Sequence, residues 1–177
     1  EDADKQIYID FDGVMAYAKV WLNDQYVGSW PYGYNSFRLN LTPFIKTDTE
    51  NVLVVRTNTE KWDSRWYPGA GIYRNVWLVK TGKTHVAHWG TFITTTDITD
   101  QSAQINLEIE VANNQETVVK AKAITDIFEI DTNDQFGKKV LSFENEDIQL
   151  AAHTSGKISQ SKKITNYKKW DIESPNR

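Results

Sequence analysis

The sequence predicts an all-β protein made of two antiparallel β-sandwich modules. Apolar and polar residues alternate along most of the chain, which is the period of strands with one buried face. No long amphipathic helical pattern interrupts this alternation, and polar turn residues separate the apolar segments. With 177 residues, the chain is long enough for one large or two small domains. The run Thr81-Gly82-Lys83-Thr84 is a natural break, so we assign the modules to residues 1–81 and 82–177.

The first module is predicted to contain a series of short strands. These segments share the alternating pattern and cover 7–11, 18–22, 26–28, 36–40, 51–57 and 75–80. Residues 41–46 indicate a short helical turn, with Thr42 as its cap and Pro43 at the first helical position. A jelly roll needs about eight strands, and this module starts in a strand after only a few residues. We therefore expect it to be the later part of a larger sandwich.

The second module has a longer and cleaner alternation. One face of its first clear strand carries Ile105, Leu107, Ile109 and Val111, and the opposite face carries Asn106, Glu108 and Glu110. A turn at Asn113-Asn114 precedes a return strand at 119–123, and further apolar segments follow at 140–143, 148–150, 157–158 and 163–164. Strands about every ten residues with polar turns indicate an immunoglobulin-type sandwich, here without the cysteine pair.

Composition excludes several classes of function. The formal net charge is −4 and no basic block occurs, which argues against a nucleic-acid partner. No apolar run is long enough to cross a bilayer, so we expect no membrane association. The absence of cysteine excludes disulfides, thiolate metal sites and a cysteine nucleophile. The sequence does not decide whether the protein is cytoplasmic, periplasmic or secreted in a bacterium.

The most distinctive segment lies between two predicted strands, at residues 62–76. Its fifteen residues contain four aromatic side chains, two arginines, two glycines and a proline, whereas a plain hairpin needs about two to five turn residues. A loop this long is costly to order, which favours a functional role. Aromatic rings stack on the C–H faces of sugars while polar neighbours bind hydroxyls, so the segment is a candidate sugar-contacting loop. Alternatively, its aromatic side chains have a structural role and pack against the end of a β-sandwich.

The first module also carries a series of shorter motifs. They are FDGV at 11–14, AKVWLN at 18–23, VG at 27–28, GYNSF at 33–37, LTPF at 41–44 and NVL at 51–53. Together they resemble the sugar-binding, jelly-roll domain of glycoside hydrolase family 2. Residues 64–76 resemble the most recognisable N-terminal motif of that family, especially in its bacterial β-galactosidases. Residues 82–177 resemble the immunoglobulin-like domain that follows, and 169–175 resemble the stretch that leads into the catalytic barrel.

The resemblance implies an incomplete jelly-roll (galactose-binding-like) β-sandwich followed by an immunoglobulin-like β-sandwich. It also implies a non-catalytic N-terminal fragment of a retaining glycosidase, with a β-galactosidase of carbohydrate metabolism as the parent. We expect the missing catalytic barrel after residue 177 and the opening of the jelly roll before residue 1, and we expect the chain to reach its β-galactoside only through the parent enzyme. A β-glucuronidase or β-mannosidase parent stays open, as do a stand-alone carbohydrate-binding module and a structural spacer.

In the family, the jelly-roll domain lends residues to the entrance of the active site. Carried over to this chain, that role implies that four residues contact either the substrate or the barrel: Asp63, Arg65, Trp66 and Tyr67. For Asp63, the alternatives are accepting hydrogen bonds from sugar hydroxyls and contributing to a monovalent or divalent cation site in the parent enzyme. A structural role is expected for the end of the motif, at Gly71, Tyr73 and Arg74, with a salt bridge for Arg74.

The chain itself is not expected to catalyse hydrolysis. Retaining glycosidases need two carboxyls about 5 Å apart, and in this family both come from the barrel. Glu108 and Glu110 share the polar face of a strand, and Glu144-Asn145-Glu146 lies in a turn. His85 and His88 fall on opposite faces of a strand, so we expect no metal site in this chain. The missing strands leave an open sheet edge, from which we expect a homo-oligomer.

Overall fold

The computed structural model describes residues 2, 4–58, 69–131, 133–144, 146–174 and 176. The chain divides into two compact units, Glu1–Lys83 and Thr84–Arg177. Within the described ranges, both units consist of antiparallel strands, and one short 3₁₀ helix is the only helical element. The all-β class expected from the alternating pattern is thereby confirmed.

The first unit contains two three-stranded sheets and one short strand pair. The sheets have the orders β5-β1-β8 and β4-β3-β6, and β2 pairs with β7. The strands are β1 (Gln6–Phe11), β2 (Val14–Met15), β3 (Ala18–Leu22), β4 (Gln25–Trp30), β5 (Phe37–Asn40), β6 (Leu53–Arg56), β7 (Gly71–Ile72) and β8 (Val76–Thr81), and the 3₁₀ helix spans Thr42–Phe44.

The core of the first unit lies between its two larger sheets. Alternate residues of β1 and β3 point inward, and the buried cluster consists of Ile7, Ile9, Phe11, Val14, Ala18, Val20, Leu22, Phe37 and Leu41. The inner face is not covered along its whole width, since Leu78 of β8 is 60% exposed although it pairs with Ile9. A cavity of about 460 Å³ opens there, with Ile9, Leu53 and Leu78 in its walls. This sandwich is therefore open along the β8 side.

Thr42 does not cap the helical turn, which corrects the sequence-based assignment. The N-cap residue is Leu41, and no side chain caps the turn. Instead, Thr42 Oγ1 accepts a hydrogen bond from the Ile7 amide at 2.9 Å and donates one to the Ile7 carbonyl at 3.3 Å. The Thr42 hydroxyl bonds to β1 because β1 provides both an amide donor and a carbonyl acceptor. As a helix cap it would have only an amide donor to bind.

The second unit contains one long three-stranded sheet and two strand pairs. The sheet has the order β15-β10-β9, while β11 pairs with β14 and β12 pairs with β13. The strands are β9 (Thr84–Thr96), β10 (Ser102–Asn113), β11 (Val119–Ala123), β12 (Asp126–Ile130), β13 (Phe136–Ser142), β14 (Glu146–Leu150) and β15 (Thr154–Thr165). The apolar segments at 157–158 and 163–164 both belong to β15, and β12 has no counterpart in the sequence-based assignment.

Inward-facing side chains of β10 form the core of the second unit, as the alternation predicts. The buried cluster consists of Leu107, Ile109, Val111, Leu150 and Ile158. At the end of β10, Asn113 is fully buried. Its amide nitrogen donates to the carbonyls of Thr117 at 2.9 Å and Ala151 at 2.8 Å, and its side-chain oxygen accepts from the Gln115 amide at 3.0 Å. One polar side chain thus closes two turns at this end of the unit.

Candidate functional site

The loop residues predicted to contact substrate or barrel, Asp63, Arg65, Trp66 and Tyr67, lie outside the described residues. The backbone on both flanks of 59–68 is described. Before the segment, the Asn58 amide donates to the Ala16 carbonyl at 2.9 Å. After it, β7 pairs with β2. Both flanks are therefore held by the same stretch of backbone, 14–16, at one end of the first unit.

The end of the loop motif, with Gly71, Tyr73 and Arg74, lies within the described residues. Gly71 has φ +134°, a conformation that L side chains rarely adopt. Tyr73 contacts two neighbouring loops. Its ring packs over Gly13, and its hydroxyl donates to the Gly33 carbonyl at 2.8 Å. Arg74 is exposed and forms no ion pair with another residue in the described part of the chain, so the salt bridge expected for it is not found there.

The loop between β4 and β5 presents two tyrosines at the same end of the unit. Tyr32 is 55% exposed and Tyr34 is 46% exposed, and their rings meet edge to face at 5.5 Å. Gly33 between them is buried, and a Cβ at this position would clash with the Met15 side chain. Because Met15 belongs to β2, the tyrosine pair lies beside the backbone that holds both flanks of 59–68.

A stack of aromatic rings extends from this loop into the core. Trp30 at the end of β4 stacks on Phe37 at 5.8 Å, and Phe37 stacks on Phe11 at 4.9 Å. Exposure falls along the stack from 36% for Trp30 to 6% for Phe37 and 0% for Phe11. The β4–β5 loop is therefore fixed to the centre of the sandwich by ring contacts as well as by hydrogen bonds.

Two carboxyl groups of the second unit have resolved pKa shifts. The Ser142 hydroxyl, which donates to Asp126 at 2.6 Å, is the main cause that lowers the pKa of Asp126. In the same unit, the Lys169 ammonium donates to Asp100 at 2.5 Å, lowers the pKa of that carboxyl and has its own pKa raised. These groups are exposed partners in surface hydrogen bonds and ion pairs, which account for the pKa shifts without a catalytic pair.

The glutamates considered as catalytic candidates occupy surface positions. Glu108 pairs with Lys157 at 3.2 Å, and Glu110 accepts a hydrogen bond from the Ser155 hydroxyl at 2.8 Å. The side chain of Glu144 is 91% exposed in the turn before β14. Across the described ranges, no three His, Asp or Glu side chains are grouped so that they could hold a metal ion. No helix in the same ranges is long and apolar enough to span a bilayer.

The end of the first unit that carries Tyr32 and Tyr34 presents groups suited to binding. It combines exposed rings with hydroxyl and amide groups, and the described β4–β5 loop has no charged side chain. The motif GYNSF drew attention to Tyr34 as part of a resemblance but not as a surface residue. Two tyrosines two positions apart in a short loop between strands were the signal that could have identified the pair.

Comparison with known proteins identifies both units. The model for the sugar-binding domain of glycosyl hydrolases family 2 matches residues 2–82, and a second model of that family matches residues 84–177. A β-galactosidase of Bacteroides ovatus is 38% identical over 98% of this chain, and a β-glucuronidase of Formosa agariphila is 26% identical over 99% of it. This chain covers 20% and 19% of those two proteins, about a fifth of their length.

Solved structures show the same fold. A glycosyl hydrolase family 2 member from Bacteroides cellulosilyticus superposes with a TM-score of 0.84 over 99% of this chain at 30% identity. A β-glucuronidase of glycoside hydrolase family 2 superposes with a TM-score of 0.86 over 96% of it at 25% identity. This chain covers 24% and 19% of those two structures. With family models matching both of its units, the chain belongs to glycoside hydrolase family 2 and comprises its sugar-binding β-sandwich followed by its immunoglobulin-like domain.

Proposed function

We propose that the chain is the non-catalytic N-terminal part of a retaining glycoside hydrolase that acts on β-galactosides. The observation that carries the choice of sugar is the 38% identity to the Bacteroides ovatus β-galactosidase, which extends over both units. The β-glucuronidase that matches over a similar extent is 26% identical. A β-glucuronidase that is 36% identical matches over 60% of the chain, so the β-galactoside is a proposal about the parent protein.

The surroundings of the acidic side chains support the non-catalytic part of the proposal. A retaining glycosidase holds a nucleophile and an acid/base carboxyl about 5 Å apart on either side of the bond that it cleaves. The described candidates, Glu108 and Glu110, instead bind Lys157 and Ser155 across a solvent-exposed sheet face. We assign both catalytic carboxylates to the barrel that belongs to the rest of the parent protein.

The contribution of this chain to the active site is proposed to come from the 59–68 segment. Arg65, Trp66 and Tyr67 supply groups for stacking and for hydrogen bonds to a sugar or to the barrel, and Asp63 supplies a carboxylate for sugar hydroxyls or for a cation of the parent enzyme. The anchoring of both flanks to residues 14–16 supports this role, because a loop with fixed ends keeps its side chains near one place.

Matched assays test the proposal. The 177-residue chain and the complete parent polypeptide are each incubated with a chromogenic β-galactoside, β-glucuronide and β-mannoside. We expect hydrolysis by the parent alone, with the β-galactoside cleaved fastest. Preference for the β-glucuronide or the β-mannoside would refute the β-galactoside, and hydrolysis by the 177 residues would refute the non-catalytic role.

A stand-alone carbohydrate-binding module is the second candidate, and the exposed Tyr32 and Tyr34 favour it. Such a module binds sugar without a barrel, so it predicts that the 177-residue chain binds galactose with the same affinity as the parent protein. We expect much weaker binding by the chain, because the proposed site is completed by the barrel. Equal affinities in titration calorimetry would favour the module.

A further inference from the structure

The β4–β5 loop has the properties of a sugar-stacking surface that is separate from the 59–68 segment. Tyr32 and Tyr34 together form what we call the tyrosine platform. Their rings are 55% and 46% exposed and meet at 5.5 Å with an interplanar angle of 60°. About half of each tyrosine is exposed to solvent, so a pyranose can stack on one side chain and touch the second.

Hydrogen bonds to residues outside its own loop hold the platform in place. The Tyr73 hydroxyl donates to the Gly33 carbonyl, which lies between the two tyrosines, at 2.8 Å. The Tyr17 amide donates to the Pro31 carbonyl at 3.0 Å, and the Ser36 hydroxyl donates to the Asp12 carbonyl at 3.3 Å. A surface ordered before binding loses less conformational entropy when a ligand arrives, which is how a shallow site gains affinity.

The chemistry of the loop selects the class of ligand. Residues 31–36 are Pro, Tyr, Gly, Tyr, Asn and Ser, so none of their side chains carries a charge. The exposed Asn35 amide and the phenol hydroxyls place hydrogen-bonding groups beside apolar ring faces. Neutral sugars present C–H faces and hydroxyls, which match this combination, whereas a uronic acid would bring a carboxylate with no cation in the loop to receive it.

We propose that the tyrosine platform binds a neutral sugar unit of a β-linked oligosaccharide substrate, next to the sugar that the parent enzyme cleaves. The inference rests on the proposed glycosidase function and adds a specificity surface to it. The platform lies beside residues 14–16, which anchor both flanks of the proposed active-site loop. It therefore favours substrates longer than a single sugar and contributes nothing to the chemical step.

The test measures binding to the complete parent polypeptide by titration calorimetry. The probes are thio-linked β-galactotriose and thio-linked β-glucotriose, which resist hydrolysis. We expect Tyr32→Ala and Tyr34→Ala each to weaken binding of one of these probes by about three- to tenfold, the effect of one lost aromatic contact. Tyr34→Phe keeps the ring and is expected to bind within about twofold of the unchanged protein.

Tyr26→Ala is the matched control. Tyr26 lies on β4 away from the platform, is 51% exposed and meets Trp21 edge to face at 5.7 Å, so it matches the platform tyrosines in exposure and in having an edge-to-face ring partner. Equal affinities for the three alanine variants, or no binding of either probe by the unchanged protein, would overturn the platform. A circular dichroism spectrum of each variant shows whether the fold is retained, and Tyr34→Phe gives a second comparison if Tyr34→Ala unfolds.

Hydrolysis of a chromogenic β-galactoside by the unchanged parent separates the two proposals. If the galactoside is cleaved and the trioses bind without regard to the tyrosines, the platform is wrong and the function stands. If no β-galactoside is cleaved but triose binding depends on Tyr32 and Tyr34, the function is wrong and the platform stands.

Discussion

The Arg38 guanidinium donates two hydrogen bonds to the carboxylate of Asp10. Nε and Nη2 each approach one carboxylate oxygen to 2.6 Å, and the two side chains are only 17% and 18% exposed. The residues are direct partners across β1 and β5, and the same guanidinium lies 5.0 Å from the centre of the Tyr8 ring. A bidentate pair with a cation–π contact on one side joins these two strands on the face opposite the core.

We predict that Arg38→Ala lowers the free energy of unfolding of the first unit by about 2 kcal/mol, because it leaves a half-buried carboxylate without its donors. Urea unfolding followed by tryptophan fluorescence measures the change. Lys80→Ala is the control, since the Lys80–Asp2 pair is exposed and its loss is expected to leave the midpoint unchanged. Equal effects of the two substitutions would contradict the role assigned to the Arg38–Asp10 pair.

Gly13→Ala is predicted to displace the Tyr73 ring, because a Cβ on Gly13 would lie 2.6 Å from that ring. The ring can swing away only by breaking the hydrogen bond from its hydroxyl to Gly33, so we expect a loss of about 1–2 kcal/mol in unfolding free energy. Gly69→Ala is the matched control, since a Cβ on Gly69 meets nothing within 4 Å.

A double-mutant cycle checks this mechanism. In a Tyr73→Ala background the clash is gone, so Gly13→Ala should cost little there. If Gly13→Ala costs the same with and without the tyrosine ring, backbone conformation and not the ring explains the effect.

Asn113 is predicted to be intolerant of substitution by aspartate. The buried amide nitrogen donates to carbonyl oxygens, and a carboxylate in its place would face those oxygens with no hydrogen to donate. We expect Asn113→Asp to destabilise the second unit by about 3 kcal/mol or more, and Asn113→Ala by less. Thermal unfolding of both variants checks the order, and a more stable aspartate variant would contradict it. Asn106→Asp, on the exposed face of β10, serves as the control.

Acid is predicted to weaken the β12–β13 pair through Asp126. Its pKa lies below the ordinary value of 3.8, mainly because of the Ser142 hydrogen bond. A carboxyl whose pKa is lowered on folding stabilises the folded state above its unfolded pKa, and this contribution is lost as the pH falls from about 3.8 through the lower folded value. Carbon-detected NMR titration should show Ser142→Ala raising the pKa of Asp126. The pKa of Asp100, which Lys169 lowers, should not move.

The open edge of the first unit is predicted to pair two copies of the isolated chain. No described strand pairs with the outer edge of β8, and Val76, Trp77 and Leu78 on it are 42–60% exposed. Such an edge is a template for another strand. We expect a dimer in multi-angle light scattering and a monomer after Leu78→Lys, with Val52→Lys as the control, because Val52 is 55% exposed outside any strand. A monomeric unmodified chain would refute the prediction.

Strands were predictable where the alternation is regular. β3 at Ala18–Leu22 and β11 at Val119–Ala123 have the bounds that their sequences indicate, because each alternates throughout its length. β12 was not predictable, since its adjacent apolar residues Ile127 and Phe128 break the two-residue period on which strand prediction depends. The register shifts in its pairing place the extra residues on β13.

The candidate site was less predictable than the fold. The loop at 62–76 stands out by composition, but the tyrosine platform depends on a hydrogen bond from Tyr73 to Gly33, 40 residues apart in sequence. The close approach of Met15 to Gly33 is likewise a tertiary contact between separate loops. Local patterns do not report such contacts, so the spacing of the two tyrosines could indicate the pair but not the loops that surround it.

The stack of Trp30, Phe37 and Phe11 gives the surface loop a direct physical connection to the centre of the first unit. Because the loop is already ordered, a ligand bound there adds its binding energy to a unit in which Trp30 and Phe37 connect the loop to the buried Phe11. Occupancy at the surface should therefore appear as a higher melting temperature of the unit, by the ordinary linkage between binding and folding. Tryptophan fluorescence, to which Trp30 contributes together with six other tryptophans, can follow this unfolding with and without the sugar.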